Sequence, residues 1–568
     1  MSINGILPNR NMMQLSSMRK ALEDMQQQLA TGQRASTYGE LGSGRSQSID
    51  LRAKIAEMNG YLGTTNLLKM RMSLLDKAMS RLEDIPSKTA AAIDPNVYNI
   101  DSNGSTSGQK AAKLALSEVI GLLNGEADGR YLMSGKTIET KPVVSMSDML
   151  YGTGSKYGLK QVVAERLAAD LGTGKLGRLN LGTGGTSDTV TLTRQGYAPP
   201  PAASNISGEF GYKIAGATTS AAKDHIEVTT ASAADLGTPP RTGIAEVGVK
   251  FGPNLQAGDS VSFELTNPDG TTSTVKLTAT LSSPPGDGEF TIAKDNATPP
   301  KVDLAKTADN FKARLGDALS TKAETSFKAA SSMRASETFF NTYGGAMPKR
   351  VNAATTSDLA TANGLRDATP DDTVEWYQGY NAAVKSDDPN SSPRNDVAAR
   401  VDGSLTAGYG VRANEPAFAQ MVRALAVMTI SDFDPKAGTA DDKAYASMPQ
   451  TTDAERAAAK AAAAKNLQIE KSRYMELASR VDGALAFGSG GQKPTDIHTE
   501  IAVAGNMVKS AADRQTNTRT TLQIMLDDVE GINKEELTAQ ILTLQTRMQA
   551  SYQTSSILNG LSLLNYMK

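Results

Sequence analysis

The stretch from Glu535 to Lys568, EELTAQILTLQTRMQASYQTSSILNGLSLLNYMK, most constrains what this chain can fold into. Leu537, Ile541, Leu544, Met548 and Leu558 fall at four- and three-residue steps, with small Ser551 and Ser555 in the intervening positions. That spacing is a helix with one narrow apolar seam. Its other faces carry Gln, Thr and Ser with few charges, so partners are expected on more than one side. Near the other end, Leu15, Met18, Leu22, Met25 and Leu29 repeat the spacing. Thr31-Gly32 follows as a stop, where glycine takes the left-handed cap conformation. Two ends with matching seams are most simply paired with each other, leaving the middle of the chain to project from a common stem.

At 568 residues, with a net charge of −2, the chain is long enough for several domains and shows no charge excess that would favour nucleic acid. It has no cysteine, which excludes a disulfide framework and thiol chemistry. No apolar run approaches the ~20 residues of a membrane span. The first residues, MSINGILPNRNMMQ, lack a basic-then-apolar leader, so a cytoplasmic location or export without a cleavable signal is expected.

Beyond the first helix, a Gly/Ser-rich loop leads to a second long helix, expected from about Ser46 to Asp84 and ended by Pro86. Its seam runs Leu51, Ile55, Met58, Leu62, then Leu68, Met72, Leu75, Met79 and Leu82; at the break either the seam slips or small Thr65 occupies it. A third helix is expected over Ser107–Leu123. The middle then changes character. Gly-Thr-Gly turns alternate with short Thr/Val strands, and SVSFELTNPDGTTSTVKLTATL reads as a hairpin. Val261, Phe263 and Leu265 alternate on one arm, Val275, Leu277, Ala279 and Leu281 on the other. Helices are expected near Leu304–Leu319 and Phe327–Phe340, and the single Trp376 reads as a core or domain-contact residue. From Asp396 the pattern returns to helices. One is capped by Asn414 with Glu415-Pro416 in its first turn. Another spans Asp453–Arg480. A third, Thr499–Glu530, carries Val503, Met507, Leu522, Met525, Leu526 and Val529 and ends at Gly531.

The fold class expected is therefore mainly α at the terminal regions, with a coiled-coil-like stem from both chain ends and an α+β outer region inserted in the middle. The expected division is 1–45 and 531–568 as inner paired helices, 46–142 and 397–530 as a helical second layer, and 143–396 as an outer region of one or two subdomains.

The first helix ending in LATGQR, the long second helix, GRYLMSGKTIETKPV and the terminal TLQTRMQASYQTSSILNGLSLLNYMK together resemble the bacterial flagellin family. The chain is most similar to the long alphaproteobacterial type, and its LSLLNY ending is also similar to hook-associated protein 3, the hook–filament junction protein. Common flagellins carry an acidic-aliphatic run after the second helix; this chain has IPSKTAAAIDPNVYN there, so the immune recognition tied to that run is not carried over. The resemblance implies a secreted, extracellular subunit that polymerises with copies of itself. It also implies hook-associated proteins, a filament cap, an export chaperone and the flagellar secretion apparatus as partners. A junction protein and a secreted coiled-coil adaptor remain the alternatives.

Enzyme readings fare worse. A zinc protease needs two histidines four apart on a helix, and the chain has only His225 and His498. GRYLMSGKT has one residue too many between its glycines for a phosphate-binding loop. The pairs Asp371-Asp372 and Asp441-Asp442 sit in polar loops and read as solvated. No catalytic residue, metal or cofactor is expected, nor any nucleic-acid partner or membrane insertion.

Overall fold

The computed structural model describes residues 6–101, 104–385, 387–433, 452–488 and 490–566, without the side chains of 6–11, 389 and 558–566. Long helices occupy both terminal regions and a β-rich region lies between them, as the sequence pattern requires. The pair Asp441-Asp442 lies outside the described residues. The chain divides into two compact units. One comprises Met1–Met70, Ala399–Ala407 and Val503–Lys568; the other comprises Arg71–Ala398 and Gly408–Ala502.

Helix α1 spans Ile6–Thr31 and stops where Gly32, at φ +74°, returns its N–H to the Gln28 carbonyl. Helix α2 spans Gly44–Ala92. Thr65 fills the seam break: it is fully buried and its hydroxyl donates to the Tyr61 carbonyl at 2.7 Å. Pro86, however, does not end this helix. The ring removes one backbone hydrogen bond, at a cost of about 3 kcal/mol. Ile85, Pro86 and Thr89 stay on the buried face, with buried Ile93 just beyond. Burying large aliphatic side chains such as Ile85 and Ile93 returns roughly 1.5–3 kcal/mol each, enough to carry the helix through. Helix α3 spans Ser107–Leu123, and Thr106 with Gln109 forms a reciprocal cap at its start.

The second unit continues with a short hairpin of β1 (Glu126–Ala127) and β2 (Arg130–Tyr131), then α4 (Met146–Tyr151) and α5 (Leu159–Leu171). The eight-stranded sheet comprises β3 (Leu179–Thr183), β4 (Thr189–Arg194), β5 (Lys213–Thr219), β6 (Ile226–Ala234), β7 (Thr242–Phe251), β8 (Ser260–Thr266), β9 (Thr272–Thr280) and β10 (Glu289–Thr291). Its order is β10-β9-β8-β5-β7-β4-β3, with β6 also on β7. The expected hairpin is β8–β9, with Val261 opposite Leu277 and Phe263 opposite Val275. Leu281 departs from the expectation: β9 ends at Thr280 and Leu281 is 58% exposed. Helix α6 (Leu304–Lys322) covers the sheet, and Phe311 meets the rings of Phe251, Phe263 and Phe290.

One π-turn, Ala323–Phe327, joins α6 to α7 (Lys328–Phe340), so the two expected helices form one run. Trp376 is fully buried, stacks edge-on against Phe340 and donates its indole N–H to the Phe340 carbonyl. Strands β11 (Lys349–Val351) and β12 (Leu365–Asp367) form a small hairpin, as do β13 (Ala398–Arg400) and β14 (Thr406–Gly408).

Helix α8 spans Pro416–Ile430 with proline in its first turn, and Phe418, Met421, Val422, Leu425 and Met428 are buried. Its cap is Glu415 rather than Asn414. The Glu415 carboxylate accepts from the Arg412 N–H and is paired with Arg394, while Asn414 turns inward and donates to Asn381 at 2.9 Å. Helix α9 spans Asp453–Leu485 behind a Thr452–Glu455 capping box. Helix α10 starts at Pro494, earlier than expected, and ends at Glu530. Its buried residues include Ala504, Val508, Ala511 and Leu526, whereas Val503, Met507 and Met525 are exposed. Alanines occupy inner positions there, so ranking by side-chain size misplaces the face. Helix α11 spans Lys534–Tyr566.

Candidate assembly stem

The first unit joins the two ends of the chain. Asn533 starts α11: its side-chain oxygen accepts from the Glu535 and Glu536 N–H groups, which the helix leaves without internal partners. From there α11 packs antiparallel along α1. Gln33 bridges Gly531 and the Arg34 N–H reaches the Glu530 carbonyl. Farther along, Arg19 Nε donates to the Tyr552 hydroxyl at 2.8 Å, with its guanidinium 5.6 Å from the ring centre.

The residues singled out in the sequence with described side chains are buried to different degrees. Leu537 and Ile541 are buried; Leu544 and Met548 are half-buried, as are Leu15, Met18, Leu22, Met25 and Leu29. Ser551 and Ser555 keep the same half-buried rhythm. Leu558 belongs to the segment whose side chains lie outside the description.

A clamp that the spacing did not reveal closes the unit. Glu530 takes Arg52 Nε at 2.8 Å, Arg52 Nη2 at 2.6 Å and the Ser48 hydroxyl at 2.5 Å. These bonds, that from Arg52 foremost, hold the Glu530 carboxyl below its usual range despite partial burial. The partners lie hundreds of positions apart, so no local pattern signals them.

The sequence pattern also passed over the outer surface. Met12 and Met13 are 70% and 74% exposed, and Leu542 and Ile557 are 59% and 63% exposed. Ile49, Leu67, Met70, Ile524 and Met525 add to them. Among the described residues, the unit made from the chain ends thus carries more than half of the exposed large apolar side chains on about a quarter of the chain. Apolar residues standing off the seam were the readable signal.

The histidines are each committed to carboxylates. His225 Nδ1 lies 2.9 Å from Asp259, and His498 lies between Glu83 and Asp76. No cluster of three or more candidate metal ligands occurs among the described residues. Asp372, read as solvated, is partly buried and paired with Arg366 at 2.8 Å. No helix among the described residues is long and apolar enough to cross a membrane.

Residues 4–137 match the family model described as the bacterial flagellin N-terminal helical region. Over that stretch the chain is similar to the bacterial flagellin family. The matched stretch takes in α1, α2 and α3, together with the loop at Gly32 and the β1–β2 hairpin. No curated protein matches the chain. The family is one of structural subunits of the flagellar filament rather than of enzymes.

Proposed function

We propose that this chain is a flagellin: an exported, extracellular subunit that polymerises through its terminal helices into a flagellar filament and serves motility. The observation that carries the reading is the concentration of exposed apolar side chains on the unit formed by the two chain ends. Exposed large apolar side chains gathered on one unit of a chain are candidates for cover by an association partner. Copies of the same unit are the natural cover for a helical homopolymer.

In this reading, 1–45 and 531–568 form the inner pair, with the seam of Leu15, Met18, Leu22, Met25, Leu29, Leu537, Ile541, Leu544, Met548 and Leu558 at its centre. Residues 46–142 and 397–530 form the surrounding helical layer, and 143–396 projects outward. The chain would pass unfolded through the flagellar secretion apparatus, held beforehand by an export chaperone, and meet hook-associated proteins and the filament cap outside. Absence of cysteine suits that passage, because no disulfide locks the chain beforehand.

Electron microscopy of material sheared from cells producing the protein tests this. Long filaments labelled along their length by an antibody to the 143–396 region are expected. Label confined to a collar at the hook tip would make the chain a junction protein instead, and label on neither would remove it from the flagellum.

A further inference from the structure

We propose that the second unit holds a binding site for a neutral saccharide, in the cleft between the start of α5 and the β11–β12 hairpin. The cleft encloses about 430 Å³ and is lined by Tyr157, Gln161, Glu165, Arg350, Thr355 and Leu359, among others. That volume falls within the roughly 300–1,000 Å³ of small-molecule sites.

The polar groups are built into place. Arg350 is 6% exposed, and its Nε donates to Glu165 Oε2 at 2.5 Å. Its Nη1 donates to the Asp372 carbonyl and the Thr373 hydroxyl, each at 3.1 Å. The guanidinium sits 4.1 Å from the centre of the Tyr157 ring. Tyr157 is fixed through its backbone: its N–H donates to the Asp372 carbonyl, and its own carbonyl accepts from Val374. Gln161 is held at both ends of its amide, by the Gly158 N–H and the Tyr151 carbonyl. Little side-chain freedom would be lost on binding.

Charge decides the class of ligand. Arg350 is paired with Glu165, and Arg366, also on the rim, is paired with Asp372 at 2.8 Å. Each cation has its own carboxylate, so an anion would have to displace one. A sugar ring needs no such exchange. It presents a rim of hydroxyls that donate and accept, matching carboxylate, guanidinium, amide and Thr355 hydroxyl. It also presents an apolar C–H face, matching the ring of Tyr157, an exposed residue, and the side chain of Leu359.

Saturation-transfer NMR on the full-length monomeric protein with cellobiose, maltose and mannobiose tests the site. Transfer to ring protons of at least one sugar is expected, unaffected by sodium sulfate. Tyr157→Ala should weaken it at least tenfold, and Ala354→Trp, which fills the cleft from an exposed position, should abolish it with the circular dichroism spectrum unchanged. Failure of all three sugars to receive transfer, full transfer in Ala354→Trp, or displacement of the sugar by sulfate would overturn the proposal.

Discussion

Arg52 and Glu530 meet end to end in a two-pronged ion pair, Nε to Oε1 at 2.8 Å and Nη2 to Oε2 at 2.6 Å. The pair fastens the start of α2 to the last residue of α10, directly before the turn into α11. Parallel contacts of this kind fix orientation as well as adding attraction.

The carboxyl of Glu530 is depressed, so its contribution is present above the ordinary glutamate value of about 4.3 and is lost as pH falls through the lower folded value. Arg52 is 48% exposed, so solvent screening keeps the pair at about 1 kcal/mol or less. Glu530→Gln should therefore cost little stability at neutral pH and remove part of the acid sensitivity of the first unit. Protease susceptibility of the 503–568 region, followed between neutral and acid pH, measures both.

His498 has a different pH dependence. Its Nδ1 lies 2.9 Å from Glu83 and its Nε2 3.0 Å from Asp76, two acceptors that only the doubly protonated ring can serve together. Burial lowers the pKa, but the hydrogen bonds to Asp76 and Glu83 and their charges outweigh it, leaving the value raised. Stability from this contact is fully present below the ordinary value of about 6.5 and is lost as pH rises through the folded value. The urea midpoint of the second unit, read by Trp376 emission, should fall as pH rises above about 6.5. His498→Gln should flatten that dependence.

The terminal helices should be the least stable part of the free chain. No described side chain of α1 is buried, and on α11 only Leu537 and Ile541 are among the described residues. Segments with so few buried apolar contacts open locally well before the core. Limited proteolysis of monomer should strike first within 1–45 and 531–568 and leave a core that retains the blue-shifted emission of Trp376. In assembled material both ends should resist. Equal resistance of ends and core in the monomer would show that the stem is stable before assembly.

Local signals carried much of this fold. The periodic apolar residues of Ser107–Leu123 mark α3, Gly32 marks the end of α1, and the alternation of Val261, Phe263 and Leu265 marks β8. Each depends on neighbours a few positions away. Where the deciding contacts are distant, local rules failed. Pro86 breaks an isolated helix, yet α2 continues because a buried face extends past it. Asn414 is a better cap by type than Glu415, yet Asn381 and Arg394 draw the two side chains in opposite directions. The apolar spacing of α1 and α11 was legible for the same reason as α3, being periodic. The Arg52–Glu530 clamp and the Arg350 cleft were not, because each assembles residues far apart in sequence.

The central claim is that the seam between α1 and α11 is needed for polymerisation and not for folding of the second unit. Leu544 lies half-buried in that seam, where a carboxylate would lose hydration without gaining a partner, at a cost of several kcal/mol. Electron microscopy of purified Leu544→Asp beside the unsubstituted protein is the most direct measurement, with Trp376 emission recorded on the same samples. The account predicts filaments from the unsubstituted chain, none from Leu544→Asp, and identical emission from both monomers. Filaments of normal length and number from Leu544→Asp would contradict it.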